Sequence, residues 1–231
     1  MNTNRKIARI VGILFIIATA SIFAGSIYEP FFNSPDYLDI IYPNKITVIF
    51  GLLLESIMIP AMFLIPILLF PILKKHNKVL AFGYLGIRSL ESALIGVAQI
   101  TKISLINLSR DYLNGGGADV LDFQNTGSSI QSKLYWINTD GIIYVVIFAI
   151  GAFILNFVLY KSKLIPRCLS IWGLIGALMI LTGSILYAFT STSEVIAMLL
   201  IIPIAVQEMV MAVWLIIKGF NLSAINPKSV K

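Results

Sequence analysis

The sequence predicts an all-α fold: a polytopic integral membrane protein built as a bundle of six transmembrane helices. Three observations carry this. Of the 231 residues, 58% are hydrophobic and 12% charged, about half the charged share of a soluble domain, and mean hydropathy is +0.91. Several apolar runs exceed the roughly 18 residues that mark a membrane-crossing helix. The charges between those runs are sorted by side, as set out below. Lipid leaves the backbone only helices or closed barrels. Barrel strands would alternate apolar and polar residues in segments of about ten, and these runs do not alternate.

The first run covers residues 7–28, after Asn4-Arg5-Lys6 and with Arg9 near its start. A basic start, an apolar stretch and Ala18-Thr19-Ala20 also fit a cleaved signal peptide. Because the apolar stretch continues through Ile22, Phe23 and Ile27, a retained spanning helix is expected. Residues 30–44 read as a polar, aromatic-rich loop with Asp36 and Asp39. The second span, 46–73, holds Pro60, Pro66 and Pro71. Each proline removes a backbone donor and tends to kink the helix; Pro60 frees the carbonyl of Ser56, one residue after Glu55. The basic loop Lys74-Lys75-His76-Asn77-Lys78 contains the single histidine, read as solvated. The third span is 79–108. The longest loop follows at 109–139, with Asn114-Gly115-Gly116-Gly117, Asp119, Asp122 and a short interfacial helix expected near 130–136. Spans four to six are 141–160, 169–189 and 195–217, separated by a basic turn (Lys161, Lys163, Arg167) and a Thr/Ser turn ending at Glu194. Residues 218–231 form a polar tail, and the whole chain reads as one membrane domain.

With six spans, one side collects Arg5, Lys6, Arg9, Lys74, Lys75, Lys78, Lys161, Lys163, Arg167, Lys218, Lys228 and Lys231, without an Asp or Glu. The other collects Glu29, Asp36, Asp39, Asp111, Asp119, Asp122, Asp140 and Glu194 against Lys45, Arg110 and Lys133. The positive-inside rule then places both termini in the cytoplasm of a cell-membrane protein. This bias accounts for the net charge of +6 through attraction to anionic lipid, with no nucleic-acid partner required. Tyr28, Phe31, Phe32, Tyr42, Tyr135, Trp136, Tyr160, Trp172, Tyr187, Trp214 and Phe220 fall near span ends and read as an aromatic belt.

One stretch departs from plain hydrophobicity. Arg88, Glu91, Ser92, Gln99 and Lys102 lie in the third span, and at roughly 100° per residue they share an arc of about 100°. Charges at membrane depth face a bundle interior or a water-filled cavity, so the other helices should pack around this stripe. Glu55, Arg88, Glu91, Gln99, Gln207 and Glu208 are the candidate substrate- or ion-binding residues. Arg88 and Glu91 are three apart and share a helical face. If Glu55, Glu91 and Glu208 all converge on Arg88, full ionisation leaves an excess of negative charge; one or two glutamates should then carry a proton, or a cation should be bound. Such clusters couple transport to protons or cations. A buried Arg–Glu pair can equally serve only to fix helix packing, and both readings stand on the sequence.

Other features carry less. The single cysteine, Cys168, excludes an internal disulfide and a cysteine-based zinc site; it reads as a packing residue. The Asn114–Gly117 stretch follows no strand and reads as a flexible loop rather than a phosphate cradle. Asn107-Leu108-Ser109 matches a glycosylation acceptor of low specificity close to the membrane. No nucleophile–base pair, HExxH, nucleotide loop or soluble carboxylate pair is present, so no catalytic residue, metal site or cofactor is assigned.

The segments RKIARIVGILFIIA, RSLESALIG and IPIAVQEMVMAVWLIIKGFN resemble a bacterial multi-pass membrane family, the domain of unknown function 4386 family. The resemblance runs from about Arg5 to Asn221. Its motifs are Arg88 with Glu91, and Gln207-Glu208 followed by Trp214, Lys218 and Gly219. It implies a six-helix membrane protein and supplies no catalytic or binding residues. The leading expectation is a small transporter using a midplane Arg/Glu cluster, with a proton, cation or small solute as ligand. A membrane regulatory or assembly protein is second, and an intramembrane enzyme acting on lipid third.

Overall fold

A computed structural model of the chain describes residues 3–115, 119–190 and 194–225. It is 87% helical, without a strand among the described residues. The elements are α1 (Thr3–Gly25), a 3-10 turn (Ser26–Tyr28), α2 (Glu29–Phe32), α3 (Tyr37–Ile40), α4 (Lys45–Ser56), α5 (Met58–Leu73), α6 (Lys78–Asn114), α7 (Val120–Ile137), α8 (Ile142–Ser162), α9 (Arg167–Phe189), α10 (Glu194–Ile217) and α11 (Leu222–Ile225). Six helices are long and apolar enough to cross a membrane. This is a membrane protein of the predicted fold class.

Local chemistry sets the helix ends. Asn77 is extended and its side chain accepts from the Leu80 amide, starting α6. Lys163 turns left-handed at φ 57 to end α8, and Pro166 precedes the first turn of α9. The second span is broken at Ile57, between α4 and α5. Pro60 has no amide to offer the Ser56 carbonyl, and the Ile57 amide turns instead to Leu54 at 3.2 Å. The break follows Glu55 by two residues.

The spans pack in chain order. α1 lies against α4 and α5, α5 against α6, α6 against α8, α8 against α9, α9 against α10, and α10 returns to α1. They therefore close into a ring, filled by apolar side chains such as Phe15, Met58, Ile65, Leu69, Ile95 and Met211. Both described chain ends lie on one face. There Arg5 donates to the Ile217 carbonyl (3.4 Å) and the Asn221 amide to the Leu164 carbonyl (2.9 Å). This terminal face carries the basic loops.

The opposite face is capped, and here the structure differs from the sequence expectation. Residues 30–44 contain two short helices, α2 and α3, rather than an irregular loop. α6 runs on to Asn114, and the presumed loop at 109–139 contains α7, 18 residues long. Phe123, Ile130 and Leu134 of α7 pack on a second cluster built from Tyr28, Phe32, Tyr37, Leu38, Ile41 and Leu105. Gln131 fastens α7 to the Phe32 carbonyl (3.1 Å), and Ser109 of α6 accepts from the Tyr42 amide (3.0 Å) while donating to the Leu38 carbonyl. Of the glycine-rich stretch, Gly116 and Gly117 lie outside the described residues, as do the Thr/Ser turn at 191–193 and tail residues such as Lys228 and Lys231.

Candidate functional site

All five stripe residues of α6 are buried, so the amphipathic arc does face the ring interior. They do not form one cluster. Glu91 and Lys102 are eleven positions apart on an unbroken helix, about 16 Å at 1.5 Å per residue, and each anchors its own ionic centre.

The central one is Arg88–Glu91. Arg88 Nη1 donates to Glu91 Oε2 at 2.8 Å, and Nη2 points at Met62 Sδ of α5 at 2.9 Å. The guanidinium lies 5.6 Å from the Phe148 ring centre, a cation–π arrangement. α8 comes close here because residue 151 is glycine: a Cβ there would stand 3.0 Å from Arg88 Cδ. Tyr144 of α8 donates to Glu91 Oε1 at 3.0 Å. Glu208 of α10 is near enough to couple electrostatically to Arg88, Glu91, Tyr84 and Tyr144.

Glu208 differs from its neighbours in two ways. It has no hydrogen bond or ion pair among the described residues, and it is only partly buried. At about 100° per residue it lies inside the arc spanned by the buried Ile204, Gln207, Met211, Ala212 and Leu215. It therefore stands on the ring-facing side of α10, opposite the lipid-side Val206, Val210 and Val213. Two buried donors nearby, Arg88 Nε and Tyr84 Oη, also have no hydrogen-bond partner among the described residues. Unsatisfied buried polar groups are costly and call for an explanation such as a ligand or ordered water.

The second centre sits under the capped face. Lys102 Nζ donates to both Glu55 oxygens, at 3.1 and 3.0 Å, and to Tyr28 Oη. The Tyr28 hydroxyl in turn donates to Glu55 Oε2 at 2.7 Å. All three side chains are buried. The close approach depends on Gly25: a Cβ at that position would lie 2.6 Å from Glu55 Cβ. Small residues of this kind let helix backbones meet in membranes.

The expected convergence of three glutamates on Arg88 is thus not what the fold builds. Glu55 has its own cation, Lys102, on the neighbouring helix. Among the described residues only Glu91 pairs with Arg88, and Glu208 stands beside them. Gln207 faces elsewhere, donating to Asn156 Oδ1 (3.3 Å) and the Leu169 carbonyl (3.2 Å) between α8, α9 and α10. Gln99, three residues before Lys102, is buried with neither amide atom partnered among the described residues. Sequence reasoning passed over Tyr28, which looked like a belt aromatic, and over Tyr84, Tyr144 and Met62, which looked like ordinary apolar filling. Lys102 was visible on the stripe, but nothing in the sequence joined it to Glu55. Among the described residues no group of His, Cys, Asp or Glu side chains is placed to hold a metal ion.

A protein-family model described as a domain of unknown function (DUF4386) matches residues 10–219. No curated protein and no solved structure matches the chain.

Proposed function

The chain belongs to this family of multi-helix proteins, the domain of unknown function DUF4386, and from that premise we propose that it is a small proton- or cation-coupled transporter of the cell membrane, with both termini cytoplasmic. The exchange site is the central centre of Tyr84, Arg88, Glu91, Tyr144 and Glu208. One observation carries this reading. Beside the Arg88–Glu91 ion pair the ring holds Glu208, a carboxylate without a hydrogen bond or ion pair among the described residues, together with two buried donors likewise unpartnered there, Arg88 Nε and Tyr84 Oη. Buried donors and acceptors that converge without satisfying one another fit a small polar solute. Two fixed cations, Arg88 and Lys102, oppose three intramembrane carboxylates, so the excess acid is the natural carrier of a proton or cation. Pro203, inside α10 and five residues before Glu208, leaves the Leu199 carbonyl without its helical donor and gives that helix a point at which to bend.

Reconstitution tests this. In proteoliposomes holding a pH-sensitive dye, an imposed gradient of a transported solute should drive proton movement that Glu208→Gln abolishes. A panel of cations, amino acids, sugars and small amines that moves no protons in the native protein, with the fold intact, would overturn the proposal. It would favour a regulatory or assembly role in which the polar centres only hold the helices.

A further inference from the structure

Away from the central centre, the terminal face carries a cavity of about 460 Å³ where the α8–α9 turn meets the end of α10. Three cations line it, Lys163, Arg167 and Lys218, all exposed and none with an acidic partner among the described residues. Trp214 closes one side. Trp214 and Lys218 also line a second depression of about 400 Å³, which runs up the outer side of α10 along Val206, Val210, Val213 and Ile217. The two hollows are therefore neighbours, sharing Trp214 and Lys218: a cationic mouth at the level of the helix ends, and an apolar groove beside it along the outer side of α10.

From this geometry we infer that the terminal face holds a specific site for an anionic phospholipid, its phosphate among Lys163, Arg167 and Lys218 and an acyl chain in the groove of α10. The charge order fits one amphiphile read from head to tail. Basic pockets between spanning helices take anionic headgroups, and a tryptophan at this depth sits where headgroup and chain meet. Pro166 and Arg167, at the start of α9, line the cavity, and Pro166 makes no side-chain cap hydrogen bond there. A soluble phosphate would use only the mouth. The apolar groove commits the site to a membrane lipid. The turn that frames the mouth is fixed by the Asn221 amide on the Leu164 carbonyl, so headgroup binding would clamp the end of α10 to the α8–α9 turn.

Native mass spectrometry of the full chain from detergent tests the site, with a melting scan beside it. With phosphatidylglycerol added, one lipid should be retained and the melting midpoint should rise; equimolar phosphatidylcholine or glycerol phosphate should give neither. Replacing all three cations by glutamine should weaken retention on the order of a hundredfold, since each basic side chain near an anionic surface contributes about fivefold. Val210→Trp, which fills the groove and leaves every cation in place, should displace the lipid as well. Those variants lie on exposed positions, so circular dichroism should show an unchanged helix content. Equal retention of phosphatidylcholine, an equal shift from glycerol phosphate, or full retention in Val210→Trp would each overturn the assignment.

Discussion

Lys102→Met removes the single cation of the Tyr28–Glu55–Lys102 centre and leaves the apolar length of the side chain nearly intact. Lys102 is 2% exposed and Glu55 3%, and the amine contacts both carboxylate oxygens. Removing one partner of a buried pair strands the other charge and costs about 3–5 kcal/mol. The Tyr28 hydroxyl still donates to Glu55 at 2.7 Å, which places the expectation at the lower end, about 3 kcal/mol. Glu55→Leu should cost a similar amount by stranding Lys102. The double variant removes both charges, and its cost reduces to that of a Tyr28 hydroxyl without a partner, about 1–3 kcal/mol. Unfolding in mixed micelles would give the four stabilities of this cycle. A coupling energy of about 3 kcal/mol or more, insensitive to salt because the pair is buried, is expected. Single variants within about 0.5 kcal/mol of the parent, or a double variant equal to the sum of the singles, would show that the pair is solvated and that the capped face does not seal it.

Arg88→Ala should be as damaging, about 3–5 kcal/mol, because Glu91 and Glu208 lose the nearby cation; a mild effect on melting would mean that water reaches the central centre freely. Gly25→Ala forces a methyl to within 2.6 Å of Glu55 Cβ and should cost about 1–3 kcal/mol of overpacking strain, measured as a fall in melting midpoint, whereas an unchanged midpoint would place α1 and α4 further apart than described. In the loop between α5 and α6, burial, followed by the nearby Lys75 charge, pushes His76 below its ordinary value, which is about 6.5. The fold therefore binds this proton less readily than the unfolded chain, and stability should be full above pH 6.5 and decline as pH falls through the lowered value. His76→Gln should remove that step, and a step that persists in the variant would assign it to another group.

The spans were legible because membrane crossing depends on run length and on the sorting of loop charges, both local in sequence. The Arg88–Glu91 pair was legible for a similar reason: positions three apart on a helix meet whatever the tertiary fold. Glu55 and Lys102 meet across two helices, 47 residues apart, and no local rule predicts that approach. It rests on Gly25 and on the break at Ile57, which steer α1 and α4 together. α7 went largely unread because its apolar residues, Phe123, Ile130 and Leu134, are spread among polar ones and acquire meaning only against the Tyr37–Ile41 cap. Tyr28 shows why a belt aromatic cannot be sorted by position alone: it sits near a span end, yet its hydroxyl turns inward to a glutamate, as does that of Tyr144.

The most direct test of the central site is the melting midpoint of the purified protein scanned over pH with a panel of cations and small polar solutes, with Glu208→Gln and Tyr84→Phe measured in parallel. A ligand confined to the folded state stabilises by RT ln(1 + [L]/Kd), about 2.7 kcal/mol at a hundredfold excess. A ligand- or pH-dependent rise in the native protein, lost in Glu208→Gln and weakened in Tyr84→Phe while both variants keep their helix content, is the expected result. A native protein whose midpoint ignores every solute and changes with pH no differently from Glu208→Gln would contradict a binding role for the centre and leave it as packing.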